Sequence, residues 1–433
     1  MEQTVIKIFT SALKAVSPYE AVKNHCKYIM SFYESGNFNR VIVIGFGKAA
    51  CPMAKAIEDS LPDSLKAGII ITKYSHCNEY ILERIKFFEA GHPIPDENGL
   101  KGTNAIIRLL ENNAEHTLVV CLISGGGSAL LVAPYEGITL SEKQKVTELL
   151  LKAGADIYEL NTIRKHISNV KGGRLAEIAY PVRVISLILS DVIGDRLDVI
   201  ASGPTAPDRT TFQDALAVLE KYSLADKIPL SVLDILRRGS QGLIPETPKE
   251  NSIVFRTVEN IIIGSNKKAL EAAKTKAREL NLHTEIISTE ITGEARNIGK
   301  WLAKVALETR KNFRTSHHKP LCLISGGETT VTVKGNGIGG RNMELALAFA
   351  LEIEGIEGIT LLSAGTDGTD GPTDAAGAIV NGETIRKAKF LGIEAEEYLK
   401  NNDSYHFFER IECLFVTGPT GTNVMDIQIV VIE

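Results

Sequence analysis

Several short apolar runs in this sequence break into glycines that carry a charged or hydroxylated residue. VIVI runs into Gly45-Phe46-Gly47-Lys48, and CLI into Ser124-Gly125-Gly126-Gly127-Ser128. A second CLI runs into Ser325-Gly326-Gly327-Glu328, and TLLSA into Gly365-Thr366-Asp367 with Asp370 close behind. Gly339-Gly340-Arg341-Asn342 opens the apolar stretch MELALAFALE. Glycine at a strand end lets backbone N–H groups approach a phosphate with no Cβ in the way. Lys48 adds a compact charge that could reach a transferring phosphoryl group, and Arg341 a planar fork for phosphate oxygens. The chemistry in view is anion binding and phosphoryl transfer. The same glycines would equally serve as tight strand-to-helix turns.

Other residues extend this reading. Lys165, His166, Lys171 and Arg174 surround a glycine pair, a density of donors that suits an anion or a solvated helix end. Asp191 ends the run VISLILS, where it could serve as a general base, a metal ligand or a turn cap. Asp367, Asp370 and Asp374 lie among glycines and suit a magnesium-type oxygen site better than an EF-hand, whose alternate-residue order is missing. His92, in GHPIPD, could contact a ligand, although it reads more readily as a turn-stabilising side chain.

Competing motifs fail. Gly45 to Ala50 satisfies the loose dinucleotide fingerprint, but the next strand, GIIIT, ends in Lys73-Tyr74 and lacks the acid for the ribose. The nearest P-loop, Gly293 to Trp301, has one residue too many between its glycines and Trp301 in place of the hydroxyl. No G-x-S-x-G elbow occurs, and the histidines are dispersed apart from His317-His318 in a polar loop.

Parallel sheets with crossover helices must position these groups, because Val/Ile/Leu runs alternate with helix-period segments along the chain. The runs are 41–44, 68–72, 118–123 and 184–189, then 261–263, 284–287, 321–324, 360–362, 414–416 and 427–432. The segment 237–252, with Pro245 and Pro248, reads as a linker and puts a boundary near residue 240. At 433 residues, two α/β domains are expected, 1–240 and 241–433. A net charge of -5 argues against nucleic acid as a partner. Six scattered cysteines without a C-x-x-C pair suggest neither a disulfide framework nor zinc, and fit a reducing cytoplasm. The N-terminus, with Val5, Ile8, Phe9 and Leu13, reads as an amphipathic helix, and no run is long enough to span a membrane.

Together GFGKAA, AGHPIPDENG, SGGGSALL, KHISNVKGGRLA, LSDVIGDRLDVIASGPT, SGGETTVTVKGNGIGGRNMELALA, GTDGTDGPTDAAGA and TGPTGTNVMD resemble the class II glycerate kinases with a MOFRL-type C-terminal domain. Members of that family also carry the name hydroxypyruvate reductase. The resemblance spans nearly the whole chain. It implies a Rossmann-like, doubly wound N-terminal domain and a smaller α/β C-terminal domain, with the active site in the cleft between them. It implies ATP and Mg2+, or another divalent cation, as cofactors, and D-glycerate phosphorylated at its 2-hydroxyl. The family's lysine and arginine fall on Lys48 and Arg341, and its acidic positions on Asp191, Glu328 and Asp367. Asp191 or Asp367 would accept the hydroxyl proton. Met343 stands where the family usually has glutamine. An NAD(P)H-dependent hydroxypyruvate reductase is the rival enzyme, a metabolite sensor the rival outside catalysis, and a homodimer is left open.

Overall fold

A computed structural model describes residues 1–112, 116–313 and 319–433, so His317 and His318 lie outside the described residues. The chain divides into an N-terminal unit, Pro18–Ser190 with Asp195–Ile263, and a C-terminal unit, Met1–Ser17 with Asp191–Gly194 and Gly264–Glu433. No helix among the described residues is long and apolar enough to cross a membrane.

The N-terminal unit is built on six strands: β1 (Arg40–Phe46), β2 (Leu65–Lys73), β3 (Ile85–Ala90), β4 (Thr117–Ile123), β5 (Arg183–Leu189) and β6 (Val258–Gly264). Their order, β3-β2-β1-β4-β5-β6, is that of a Rossmann sheet, and the pairs from β3 through β5 are parallel. β4 is buried at every position, as a strand covered on both faces must be, and its side chains alternate into helices on either side. Val41, Val43, Leu118, Val120, Ile185 and Leu187 pack one face against Ala54 and Ile57 of the helix Ala50–Ser60. Beyond the sheet, the helices Leu140–Lys152, Ile157–His166, Phe212–Lys221 and Leu230–Ser240 bury Val146, Ile163, Phe212 and Leu236 in a core of their own. The strand order reverses where β1 meets β4, with Phe46 opposite Ile123, so the crevice at the carboxyl ends of these two strands is the ligand position of this architecture.

The C-terminal unit holds β7 (His283–Ile291), β8 (Leu321–Gly327), β9 (Ile359–Gly365), β10 (Gly377–Asn381), β11 (Leu414–Phe415) and β12 (Asp426–Ile432) in the order β11-β10-β9-β12-β8-β7. Only β7 and β8 run parallel; β12 lies antiparallel between β8 and β9, and β10 antiparallel to β9 and β11. The helix Arg341–Glu352 packs on one face with Leu361 and Val430. The other face, with Leu362 and Ile429, buries Val5, Ile8, Phe9 and Ala12 of the helix Glu2–Ala15.

Several sequence expectations change here. The second sheet is mixed, because its final strand returns into the middle and pairs with two strands that run the other way. β3 and β10 escaped notice: IKFFEA interrupts its apolar residues with Lys86 and Glu89, and GAIVN is only 5 residues long. The chain passes from one compact unit to the other at Ile263 and Gly264. Residues 237–252 form no free linker. They finish a helix and then tie back, Pro248 accepting from the Asp208 amide at 3.0 Å and Pro245 from Arg174 at 3.2 Å. The first helix belongs to the C-terminal unit, since its apolar stripe completes that core. Cys51 and Cys77 form a disulfide, with Cα atoms 5.6 Å apart, contrary to the expectation of thiols throughout. The helix after β1 and the loop after β2 bring them together, a juxtaposition their spacing in sequence conceals.

Candidate active site

In the N-terminal unit the turns after β1 and β4 interlock. The Lys48 amide donates to the Gly125 carbonyl at 2.9 Å, the Ser124 amide to the Phe46 carbonyl at 3.2 Å, and the Ala49 amide to Ser124 Oγ at 3.1 Å. Gly47 has φ 129°, and a Cβ there would meet Ser124 Oγ at 2.1 Å, so only glycine allows this approach. Gly45 lies just before it, against Ile70 and Leu122 of the flanking strands. Gly127 and Ser128 begin the short helix Gly127–Leu130. Ser128 Oγ is 2.9 Å from Ser202 Oγ, which donates to Asn161 Oδ1 at 2.9 Å, so this hydroxyl is engaged within the protein.

Over Gly126 two side chains converge. A Cβ at that glycine would lie 2.9 Å from His92 Cδ2 and 3.3 Å from Lys48 Cγ. His76 Nδ1 sits 3.2 Å from the Lys48 carbonyl. Burial first, then the charges of Lys48, Lys73 and His76, hold the His92 imidazole down at about 4. His92 is therefore neutral at ordinary pH, with one ring nitrogen a donor and the other an acceptor. Among the described residues, Lys48 and Lys73 are in no ion pair. Two half-buried lysines that make no ion pair, beside a glycine turn at the switch point and with Glu89 and Asp96 engaged by Ser75 and Tyr74, offer donors to an anion. Sequence reading missed Lys73 and His76 as members and preferred a turn role to a ligand contact for His92. The strand-end rule would have found Lys73, because β2 is the neighbour of β1 and ends at that residue.

The basic cluster Lys165, His166, Lys171 and Arg174 goes inward instead. Lys165 is 3% exposed and pairs with Asp208 at 3.1 Å. His166 is fully buried, with Nδ1 2.7 Å from the Thr162 carbonyl and its ring edge-on to Phe212. Lys171, fully buried, donates to the Ala201 carbonyl at 3.4 Å, and burial pushes its ammonium far below the usual range. Arg174 donates to Pro245 and lies over the Tyr135 ring. Lys165, Lys171 and Nη2 of Arg174 meet protein acceptors, while His166 Nε2 and Arg174 Nε are buried without a hydrogen bond; Lys171 braces the Ala201–Ser202 loop that holds Ser128.

The C-terminal unit gathers the other residues. Asp370, 2% exposed, accepts the amides of Asn342 at 3.0 Å and Met343 at 2.8 Å, capping the helix Arg341–Glu352. Gly340 makes room for it, since a Cβ there would lie 2.2 Å from Asp370 Cγ, and Gly339 packs as closely on Ser404. Burial pushes the Asp370 carboxyl up to about 7 against the pull of these two amides. Arg341 donates from Nε and Nη2 to the carboxylate of Asp426 at 2.6 and 2.9 Å, and Nη1 meets Glu328 at 2.8 Å. Sequence reading passed over Asp426, although TGPTGTNVMD contains it.

Ser325 Oγ donates to Gln428 across the sheet, and Asn342 accepts from Ser363. Gly326 and Gly327 are required by close packing, on Asn266 and on the Ile291 backbone. Asp367 closes an Asx turn through Oδ1, accepting the Thr369 amide at 3.0 Å. Asp191 follows β5 but belongs to the C-terminal unit with Val192 and Gly194. Met343 is fully buried in the core, so its departure from glutamine is a change of packing.

Among the described residues no three His, Cys, Asp or Glu side chains are grouped to hold a metal. Magnesium does not need such a cage: it keeps several waters and takes one or two carboxylates with substrate phosphates. The charge balance favours a cation, because one guanidinium faces the two carboxylates Asp426 and Glu328.

Comparison with known proteins agrees with the fold. A model described as a domain of unknown function (DUF4147) matches residues 4–237, and the MOFRL family model matches residues 321–426. The D-glycerate 2-kinase of Thermotoga maritima is 47% identical over 99% of this chain and 98% of its own. The chain belongs to the glycerate 2-kinase family. A crystal structure of Thermotoga maritima glycerate kinase superimposes with a TM-score of 0.90 at 47% identity, covering 100% of this chain and 99% of that one. The family's second name appears too: an Agrobacterium vitis protein named for hydroxypyruvate reductase is 39% identical over 99% of this chain and 94% of its own.

Proposed function

We propose that the chain is an ATP-dependent D-glycerate 2-kinase. The 2-hydroxyl oxygen attacks the terminal phosphorus of ATP, the bond to the bridging oxygen breaks, and the hydroxyl proton passes to a carboxylate. 2-Phospho-D-glycerate and ADP leave. The observation that carries this reading is the strand-end anion site, where Lys48, in no ion pair, stands beside Lys73 and neutral His92 at the Ser124–Gly127 turn. On this reading Lys48 neutralises charge on the transferring group, and Arg341 supplies the second cation. Asp191 or Asp367 accepts the proton. Asp191, Glu328 and Asp367 are the carboxylates that would hold a divalent cation, which would supply charge neutralisation to the phosphates. Asp370 drops out of that set, because its two oxygens cap a helix. The partners are small molecules, D-glycerate and ATP, in a cytoplasmic setting.

A nicotinamide-dependent reductase is less well supported, because Lys73 occupies the strand end where the ribose calls for an acid. Incubation with D-glycerate and ATP should release ADP and give a phosphorus NMR signal of 2-phosphoglycerate, whereas hydroxypyruvate with NADH should leave the NADH absorbance unchanged. NADH consumption without ADP release would reverse the assignment. Ligand binding without turnover would point to a sensor.

A further inference from the structure

Arg341 is held on one edge far more firmly than on the other. Nε and Nη2 form a bidentate pair with both oxygens of Asp426, which is 1% exposed at the first residue of β12. Asp426 lies opposite Gly327 of β8 and Gly365 of β9, so no side chain from either neighbouring strand crowds its carboxylate. A Cβ at Gly365 would come within 3.6 Å of Asp426 Oδ1. Burial pushes this carboxyl up and Arg341 pulls it back down, and Asn342 adds a further hydrogen bond. The third contact of Arg341, from Nη1 to Glu328, involves a side chain 46% exposed. A pair of that kind is screened by water and contributes little. A two-point pair with a buried carboxylate fixes the plane of the guanidinium as well as its place.

We propose that Asp426 is the positioning residue for Arg341 in phosphoryl transfer, fixing the guanidinium plane so that the Nη1 edge is presented to the transferring group. Glu328 occupies that edge until an anionic ligand takes it. This inference rests on the reading of Arg341 as the second cation of the kinase.

Asp426→Asn keeps the shape but exchanges one acceptor for a donor that opposes an Arg341 N–H. Since misplacing a catalytic group by about 1 Å costs about 100-fold, kcat of Asp426→Asn should fall by about 10- to 100-fold while KM for ATP and for D-glycerate stays within about threefold. In an Arg341→Ala background the same substitution should change kcat by less than about twofold, because its target is gone. Arg341→Ala leaves a buried carboxylate without its cation, so its melting temperature should drop, and Arg341→Ala/Asp426→Asn should recover part of that loss. If Arg341→Ala proves insoluble, Arg341→Lys, which keeps the charge and loses the fork, takes its place in the cycle. Equal losses of kcat in both backgrounds, or a rise in KM alone, would assign Asp426 a purely structural role. Full turnover in Arg341→Ala would instead overturn the reading of Arg341 itself.

Discussion

Gly126 offers a way to separate the strain of a turn from the work of the side chains above it. Its φ is 82°, and Gly137, in another loop of the same unit, has φ 85°. Alanine at such a φ costs about 1–2 kcal/mol in either place. The surroundings differ: a Cβ at Gly137 meets nothing within 4 Å, whereas at Gly126 it meets the His92 ring at 2.9 and 3.1 Å and Lys48 Cγ at 3.3 Å. Both neighbours at Gly126 are side chains and can yield by a few tenths of an ångström, so the added cost in stability is small. Each kcal/mol moves the melting point of a domain of 150–250 residues by about 2–4 °C, so both variants should melt about 2–8 °C early. Activity should part them. If a displacement approaching 1 Å costs about 100-fold, a few tenths at Lys48 and His92 together should lower kcat/KM of Gly126→Ala roughly tenfold. Gly137→Ala should keep the parent value. ADP release coupled to a chromogenic readout, with calorimetry on the same samples, tests this. Equal kcat/KM in the two variants would mean that the meeting of Lys48 and His92 over this glycine has no part in turnover.

Removing either proposed cation should be more damaging: Lys48→Ala and Arg341→Ala should each reduce kcat by about 100- to 1,000-fold in the ADP assay, the loss typical of one preorganised electrostatic group. An unfolded histidine takes its proton near pH 6.5 and His92 near 4, so the unfolded chain binds more protons in that window and stability falls as pH drops through it. His92→Gln should therefore lose less melting temperature than the parent between pH 6.5 and 4.5, and identical slopes would show that His92 is not held neutral. Denatured without reductant, the protein should expose the four cysteines outside the Cys51–Cys77 bond, and after reduction all six, by thiol titration.

What the sequence reveals here is local, and what it hides depends on distant partners. GFGK, SGGGS and SGGE were readable as strand ends because glycine interrupts an apolar run wherever a parallel strand stops, and the N-terminal sheet follows from that pattern. The position of β12 was not readable, since nothing in IQIVVI says which strands it will lie between. KHISNVKGGR looked like a ligand site because residue type announces donors without announcing burial, and the acceptors that claim them, Asp208, Ala201 and Pro245, come much later in the chain. His92 needed Lys48, and Asp426 needed Arg341, before either could be recognised. Asp370 was correctly seen as special, yet its glycine-rich setting serves a helix cap, which reads the same as a metal loop until the amides are placed.

The placement of the last strand has a consequence for how the protein is made on the ribosome. The helix Glu2–Ala15 is made well before the surface that covers its apolar stripe, which includes Ile427, Ile429 and Val431. The N-terminal unit can close its sheet as soon as β6 is out, while the helix Glu2–Ala15 meets its first partners in Ala269, Leu270 and Ala273 and its last in β12. A chain stalled before the helix Asn266–Glu279 is made would therefore present Val5, Ile8 and Phe9 bare, a mark by which quality-control factors could know an unfinished copy.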